Sequence, residues 1–295
     1  MKHCVIGANS LDRLVKCPGS LKPGNGSLAE YIKKTTGKVD KYVKNRIECN
    51  ESTTFGNIVD DLAKNYIYWK VTGENLKFKH AKPEHQCDDT YTEPAKLYCK
   101  HILKLRERFG RCMIDPSFKM ENFIDDLPDC EFSVSANPDI VVRGTDYSGT
   151  IMVSDLTTSR NYDRNKMFQV ICSAVAIVNH HPETEYVICE VFNAVTKEVQ
   201  LSKFSREELE AYKNDIIIPA LQKVRDALSD NTTNINEHRC HNSWCSYYCI
   251  FRDECPHAQM TCDEEMSYNH VPVQVEFFID KMTSEDKESY AKLFQ

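Results

Sequence analysis

Apolar residues recur along the chain with two different periods, and the switch between them marks out the architecture. Ser10 can cap a short helix carrying Leu11, Leu14 and Val15, which stops at Cys17-Pro18-Gly19. A polar stretch over 21–52, with Gly-Asn-Gly at 24–26, reads as an insertion around a helix near 28–35. Phe55, Val59, Leu62, Ile67 and Trp69 predict a helix over 55–70, and the polar residues 73–93 predict a loop. Tyr98, Ile102, Leu105 and Phe109 return every third or fourth position, so 94–110 is an amphipathic helix. Lys96, Lys100, Lys104 and Arg108 return every fourth position on another of its faces. From 131 the pattern becomes that of strands: 131–134, 139–142 and, after a turn at 146–149, 150–155. A helix over 163–178 and strands over 185–192 and 198–204 follow. Ser205-Arg206-Glu207-Glu208 is a capping box opening a helix to about 228, with Pro219 as a kink. The fold class is therefore α/β, a mixed sheet flanked by helices. Its divisions are a helical region over 1–130, the α/β core over 131–235, a cysteine-rich subdomain over 236–262 and a tail over 263–295.

Composition narrows the function classes. Apolar residues make up 41% of the 295, enough to bury a core, which excludes global disorder. No run of about 18 apolar residues occurs and no secretory leader is evident, so the expected location is the cytoplasm, that of the host if the source is viral, with no membrane partner. Lys and Arg number 37 against 44 Asp and Glu, a net charge of −7, which excludes a protein that works by coating nucleic acid. Five of the fourteen cysteines fall between Cys240 and Cys262, where even spreading would place about one. In a reducing compartment such a cluster reads as metal ligation before disulfides.

Two aspartates in the strand block are candidates for chemistry. Asp139 follows Asn137-Pro138 at the start of one strand, and Asp155 ends the next. Neighbouring strands would bring the carboxylates together, where they would share a proton or hold a hard cation, Mg²⁺ or Mn²⁺. The alternative is two strand-end carboxylates facing solvent. The lysine row on 94–110 likewise reads either as a solvated face or as a rail of phosphate contacts.

Five segments, in order, resemble the PD-(D/E)XK nuclease pattern in its RecB-like branch. They are Gly56-Asn57-Ile58-Val59-Asp60; Ala136-Asn137-Pro138-Asp139; Asp155-Leu156-Thr157-Thr158; Gln169 on the following helix; and Cys17-Pro18-Gly19-Ser20 taken with the late cysteines. The branch includes the exonucleases of CRISPR adaptation and AddB-type helicase-nucleases, and the chain is most similar to a phage-encoded family of this length. The resemblance implies a restriction-endonuclease-like core that cleaves DNA, single-stranded or with free ends, beside a helicase or recombinase. It implies that Asp60, Asp139 and Asp155 hold Mg²⁺ or Mn²⁺ and that Gln169 orients the site. It also implies a [4Fe–4S] cluster on Cys17, Cys245, Cys249 and Cys255, with a structural Zn²⁺ on Cys240, Cys245, Cys249 and Cys255 as the local alternative.

The chain departs from the pattern at Asp60 (for His), Ala136 (for Gly), Thr157 (for Lys) and Ser173 (for Tyr). Thr157 matters most, because a neutral hydroxyl cannot supply the charge that the lysine brings to the transition state. Lys166, three residues before Gln169, and Arg160 are the candidate substitutes. If neither serves, the chain is a degenerate nuclease fold acting as a DNA-binding or recombination accessory factor.

Overall fold

The computed structural model describes residues 4–8, 51–114, 118–120, 132–144, 149–159, 164–222 and 274–277. In chain order its elements are β1 (Cys4–Gly7), α1 (Glu51–Thr72), α2 (Asp89–Phe109), β2 (Gly110–Ile114), β3 (Phe118–Met120), β4 (Phe132–Ala136), β5 (Ile140–Gly144), β6 (Thr150–Thr157), α3 (Arg164–His180), β7 (Tyr186–Asn193), β8 (Glu198–Ser205), α4 (Arg206–Tyr212) and β9 (Gln274–Phe277). A wider π turn, Lys213–Ile217, continues α4. The described residues fall into two compact units.

One unit contains a three-stranded sheet in the order β1-β4-β3, with β1 parallel and β3 antiparallel to β4. The strand expected at 131–134 therefore does not neighbour the strand at 139–142: it pairs in a different sheet.

The other unit is an α/β layer around a six-stranded sheet, β2-β5-β6-β7-β8-β9. Its strands pair antiparallel except β6 and β7, which are parallel. That parallel step needs a crossover, and α3 supplies it. Helices cover both faces of β6, so its run of six buried residues lacks polar alternation. Met152, Ser154 and Leu156 point to the side of α1 and α2. There Leu62, Ile67, Tyr98, Ile102 and Leu105 pack on Ile140, Val142, Ile188 and Phe192. Ile151, Val153 and Asp155 alternate to the other side, toward α3.

Polar groups inside the core are tied together. Glu190 of β7 accepts from Ser154 Oγ at 2.6 Å and meets His101 Nε2 at 2.8 Å, and Ser154 Oγ lies 2.9 Å from Tyr98 Oη. These four buried side chains fix α2 to β6 and β7. The polar stretch 73–93 is loop as far as a short 3₁₀ turn, Pro83–Cys87. It is held at its middle by Asp61, whose Oδ2 accepts from the main-chain N–H groups of Lys79, His80 and Ala81. The capping box at Ser205 forms as expected. Ser205 N donates to Glu208 Oε2 at 2.7 Å, and Glu208 N donates to Ser205 Oγ at 3.2 Å.

Candidate functional site

Strand register brings Asp139 and Asp155 together. In the antiparallel β5–β6 pair Ile140 stands opposite Ser154, so the next position sets Asp139 opposite Asp155. The main-chain N–H of Asp139 donates to Asp155 Oδ1 at 2.9 Å, and that of Leu156 donates to Asp139 Oδ2 at 2.8 Å. Each carboxylate is anchored by backbone of the adjoining strand.

Two helices then deliver cations. Lys166, in the first turn of α3, places Nζ 3.2 Å from Asp155 Oδ2. Lys64, one turn after Asp60 on α1, places Nζ 2.7 Å from Asp60 Oδ2 and 2.8 Å from Asp139 Oδ1. Close approach of α1 to the end of β6 depends on Gly56, where a Cβ would stand 2.9 Å from Thr158 Oγ1. Lys64 is the residue that sequence reasoning misses. An Asp–Lys pair four apart on an amphipathic helix looks like a solvated ion pair. Only the strand pairing that brings in Asp139 makes it part of a site.

The electrostatics of the two facing aspartates diverge. Burial pushes Asp139 up, but the Lys64 and Lys166 ammonium groups and the Leu156 N–H outweigh it, and its carboxyl lies below the ordinary value. Burial also pushes Asp155 up. Lys166 opposes that push and the Asp139 charge reinforces it, leaving Asp155 above the ordinary value. Burial pulls the Lys166 ammonium down, yet Asp155 and Asp139 more than reverse this and hold it protonated.

The donor set is one of hard oxygens, which suits Mg²⁺ or Mn²⁺; such a cation takes one or two carboxylates and keeps several waters. Asp139 and Asp155 fit that role. Asp155 Oδ2 is buried, and the Lys166 ammonium 3.2 Å away is its polar neighbour. The Asp60 edge is arranged differently, because the Lys64 ammonium sits between Asp60 and Asp139. Among the described residues no three His, Cys, Asp or Glu side chains converge as a metal-ligand group.

Gln169 lies one turn beyond Lys166 on α3, half-buried, and its main-chain carbonyl accepts from Ser173 Oγ at 3.2 Å. Thr157 ends β6 with its hydroxyl accepting from Ser159 N at 3.3 Å, so it is engaged by its own turn. Lys96, Lys100 and Lys104 lie on α2; Lys96 pairs with Glu93 at 2.9 Å, Lys100 is exposed and Lys104 half-buried. The side chain of Arg108, all of Arg160, and Cys17, Cys240, Cys245, Cys249 and Cys255 lie outside the described residues. Cys99, Cys172 and Cys189 are buried, as their apolar settings suggest. No described helix is long and apolar enough to cross a membrane.

No family model matches the chain, and no curated protein matches it. Among solved structures, the crystal structure of SSO0001 is similar at 11% identity, covering 80% of this chain and 98% of that one, with a TM-score of 0.29.

Proposed function

We propose that the chain is a divalent-cation-dependent deoxyribonuclease acting on single-stranded or free DNA ends, in which Lys166 supplies the charge that Thr157 cannot. One observation carries this reading: Lys166 Nζ lies 3.2 Å from Asp155 Oδ2, directly beside the Asp139–Asp155 pair. A cation bound by that pair would lower the pKa of its water and polarise a phosphate. The chain's own groups do the rest. Asp139, held below the ordinary carboxylate range, stays ionised at neutral pH. Lys166 keeps its proton and would offer that charge to a phosphodiester bound beside the pair. Lying in the first turn of α3, it is positioned by a rigid helix packed on β6 and β7, so little reorganisation is needed as the reaction proceeds. The cysteine cluster, on the family pattern, would staple the chain with a [4Fe–4S] centre or Zn²⁺ and leave no open position for substrate.

A second reading, the accessory factor that binds DNA without cutting it, draws on Lys64. Its ammonium occupies the edge between Asp60 and Asp139 that the resemblance assigns to metal.

End-labelled single-stranded DNA incubated with the protein and Mn²⁺ separates the two. The nuclease reading expects divalent-dependent cleavage that Asp155→Ala abolishes, that Lys166→Ala lowers by about 10²–10³ and that Thr157→Lys changes little. Wild type and Thr157→Lys both inert on every DNA substrate, with binding retained, would leave the accessory role. A large gain in Thr157→Lys with little loss in Lys166→Ala would mean a decayed site that Lys166 does not serve.

A further inference from the structure

We infer that Lys64 is a built-in counter-cation, and that its ammonium and a divalent cation compete for Asp60 and Asp139. Its Nζ marks one point lying 2.7 Å from an oxygen of Asp60 and 2.8 Å from an oxygen of Asp139, carboxylates that sit on α1 and at the start of β5. Mg²⁺ requires oxygens at about 2.0–2.1 Å. Asp60 and Asp139 would supply hard oxygens of the kind such a cation takes once the ammonium has gone. Charge points the same way. Asp60, Asp139 and Asp155 against Lys64 and Lys166 leave one net negative charge, whereas withdrawal of Lys64 leaves two, matching a divalent ion. The residue type also suits displacement. An ammonium is a point charge on a flexible four-carbon stem, where a guanidinium would clamp both carboxylates with its planar fork. About 10% of the Lys64 side chain is exposed, against 31% of Asp60 and 16% of Asp139, so the ammonium is largely enclosed while the Asp60 edge opens to solvent and gives a cation a way in. Lys64 is thus a positioning residue: it ties α1 to the start of β5 and sets how tightly a cation must bind to displace it.

This inference rests on Asp139 being a ligand, as in the proposed function, but its readout is metal affinity rather than cleavage. Mn²⁺ binding to the full-length chain is followed by the electron paramagnetic resonance signal of the free ion. Lys64→Met keeps the stem and removes the charge. It should bind Mn²⁺ about tenfold more tightly than wild type, and Asp139→Asn in that background should erase the gain. Unchanged or weaker binding in Lys64→Met overturns the competition. Should Lys64→Met fail to fold, reductive methylation of wild type decides the matter: Mn²⁺ should raise the labelling of Lys64 measured by mass spectrometry. No rise at any Mn²⁺ concentration up to about 10 mM overturns it equally. A chain that shows the affinity gain but cuts no DNA sinks the nuclease reading alone. One that cuts DNA without the gain sinks only the competition.

Discussion

Asp139 and Asp155 are opposite each other across one pair of strands, yet their surroundings drive their protonation in opposite directions. Asp139 lies below its unfolded value of 3.8. Its contribution to stability is therefore fully present above pH 3.8 and is lost as the pH falls through the lower folded value. Asp155 lies above 3.8, so its contribution is present below that pH and is lost as the pH rises through the higher folded value. At neutral pH the first aspartate stabilises the fold and the second opposes it. Opposed shifts of this kind agree with the proposed chemistry at the pair. Metal-free urea unfolding measured from about pH 7 to about pH 3 should show this. Asp139→Asn should lower the midpoint at neutral pH and flatten its decline on acidification. Asp155→Asn should be at least as stable as wild type near neutrality. The reverse order of the two variants would mean that the lysines act mainly on Asp155.

At the scale of elements, α1 does two things that a helix wheel alone does not reveal. Its apolar side packs on the sheet, and its Gly56 brings its first turns against the end of β6. Gly→Ala in a helix interior ordinarily stabilises by about 0.5–1 kcal/mol. Here the new Cβ would stand 2.9 Å from Thr158 Oγ1, a short β-branched side chain with little room to give. Overpacking of that kind costs about 1–3 kcal/mol and should win. Gly56→Ala should therefore lower the Tm, and Thr158→Ala should restore much of the loss in the double variant. Additive effects would remove the contact from the account. The same helix shows what the sequence could disclose. Periodicity was enough for α1, α2, α3 and the strands β5 to β8, since each carries a strong repeat or a compact apolar run between turns. It was not enough for β2, five residues that follow α2 with only Gly110 at the junction of helix and strand, or for β3 and β9, which are three and four residues long. Nor could it show that the strand at 132–136 belongs to a separate sheet, because pairing partners are set by long-range packing. Asp139, Asp155 and Lys166 stood out by motif and helical spacing. Lys64 did not, because its second partner is 75 residues away along the chain.

For the whole molecule, a net charge of −7 sets the terms on which DNA could be met. The long-range field of an acidic chain repels a polyanion, so association has to rest on a local concentration of positive charge. The row on α2 is the candidate among the described residues. Lys96 is held by Glu93, but both side chains are more than half exposed, at 54% and 62%, so the pair is weak and can exchange for a phosphate. Lys100 is exposed as well, and Lys104 is half-buried. Replacing Lys96, Lys100 and Lys104 by Glu should weaken binding to single-stranded DNA. It should also flatten the slope of log affinity against log salt by about 2, since each lost phosphate contact removes about 0.7 from it. Titration of a fluorescent oligonucleotide at several salt concentrations measures both quantities. A reaction run with DNA at saturation should leave the cleavage step itself unchanged, because α2 packs on the face of β6 opposite the one from which Asp155 meets Lys166. A loss of affinity with an unaltered slope would mean that the new glutamates repel DNA without having displaced real contacts. Unchanged affinity at low salt would return the row to an ordinary solvated face and place the DNA on another surface of the chain.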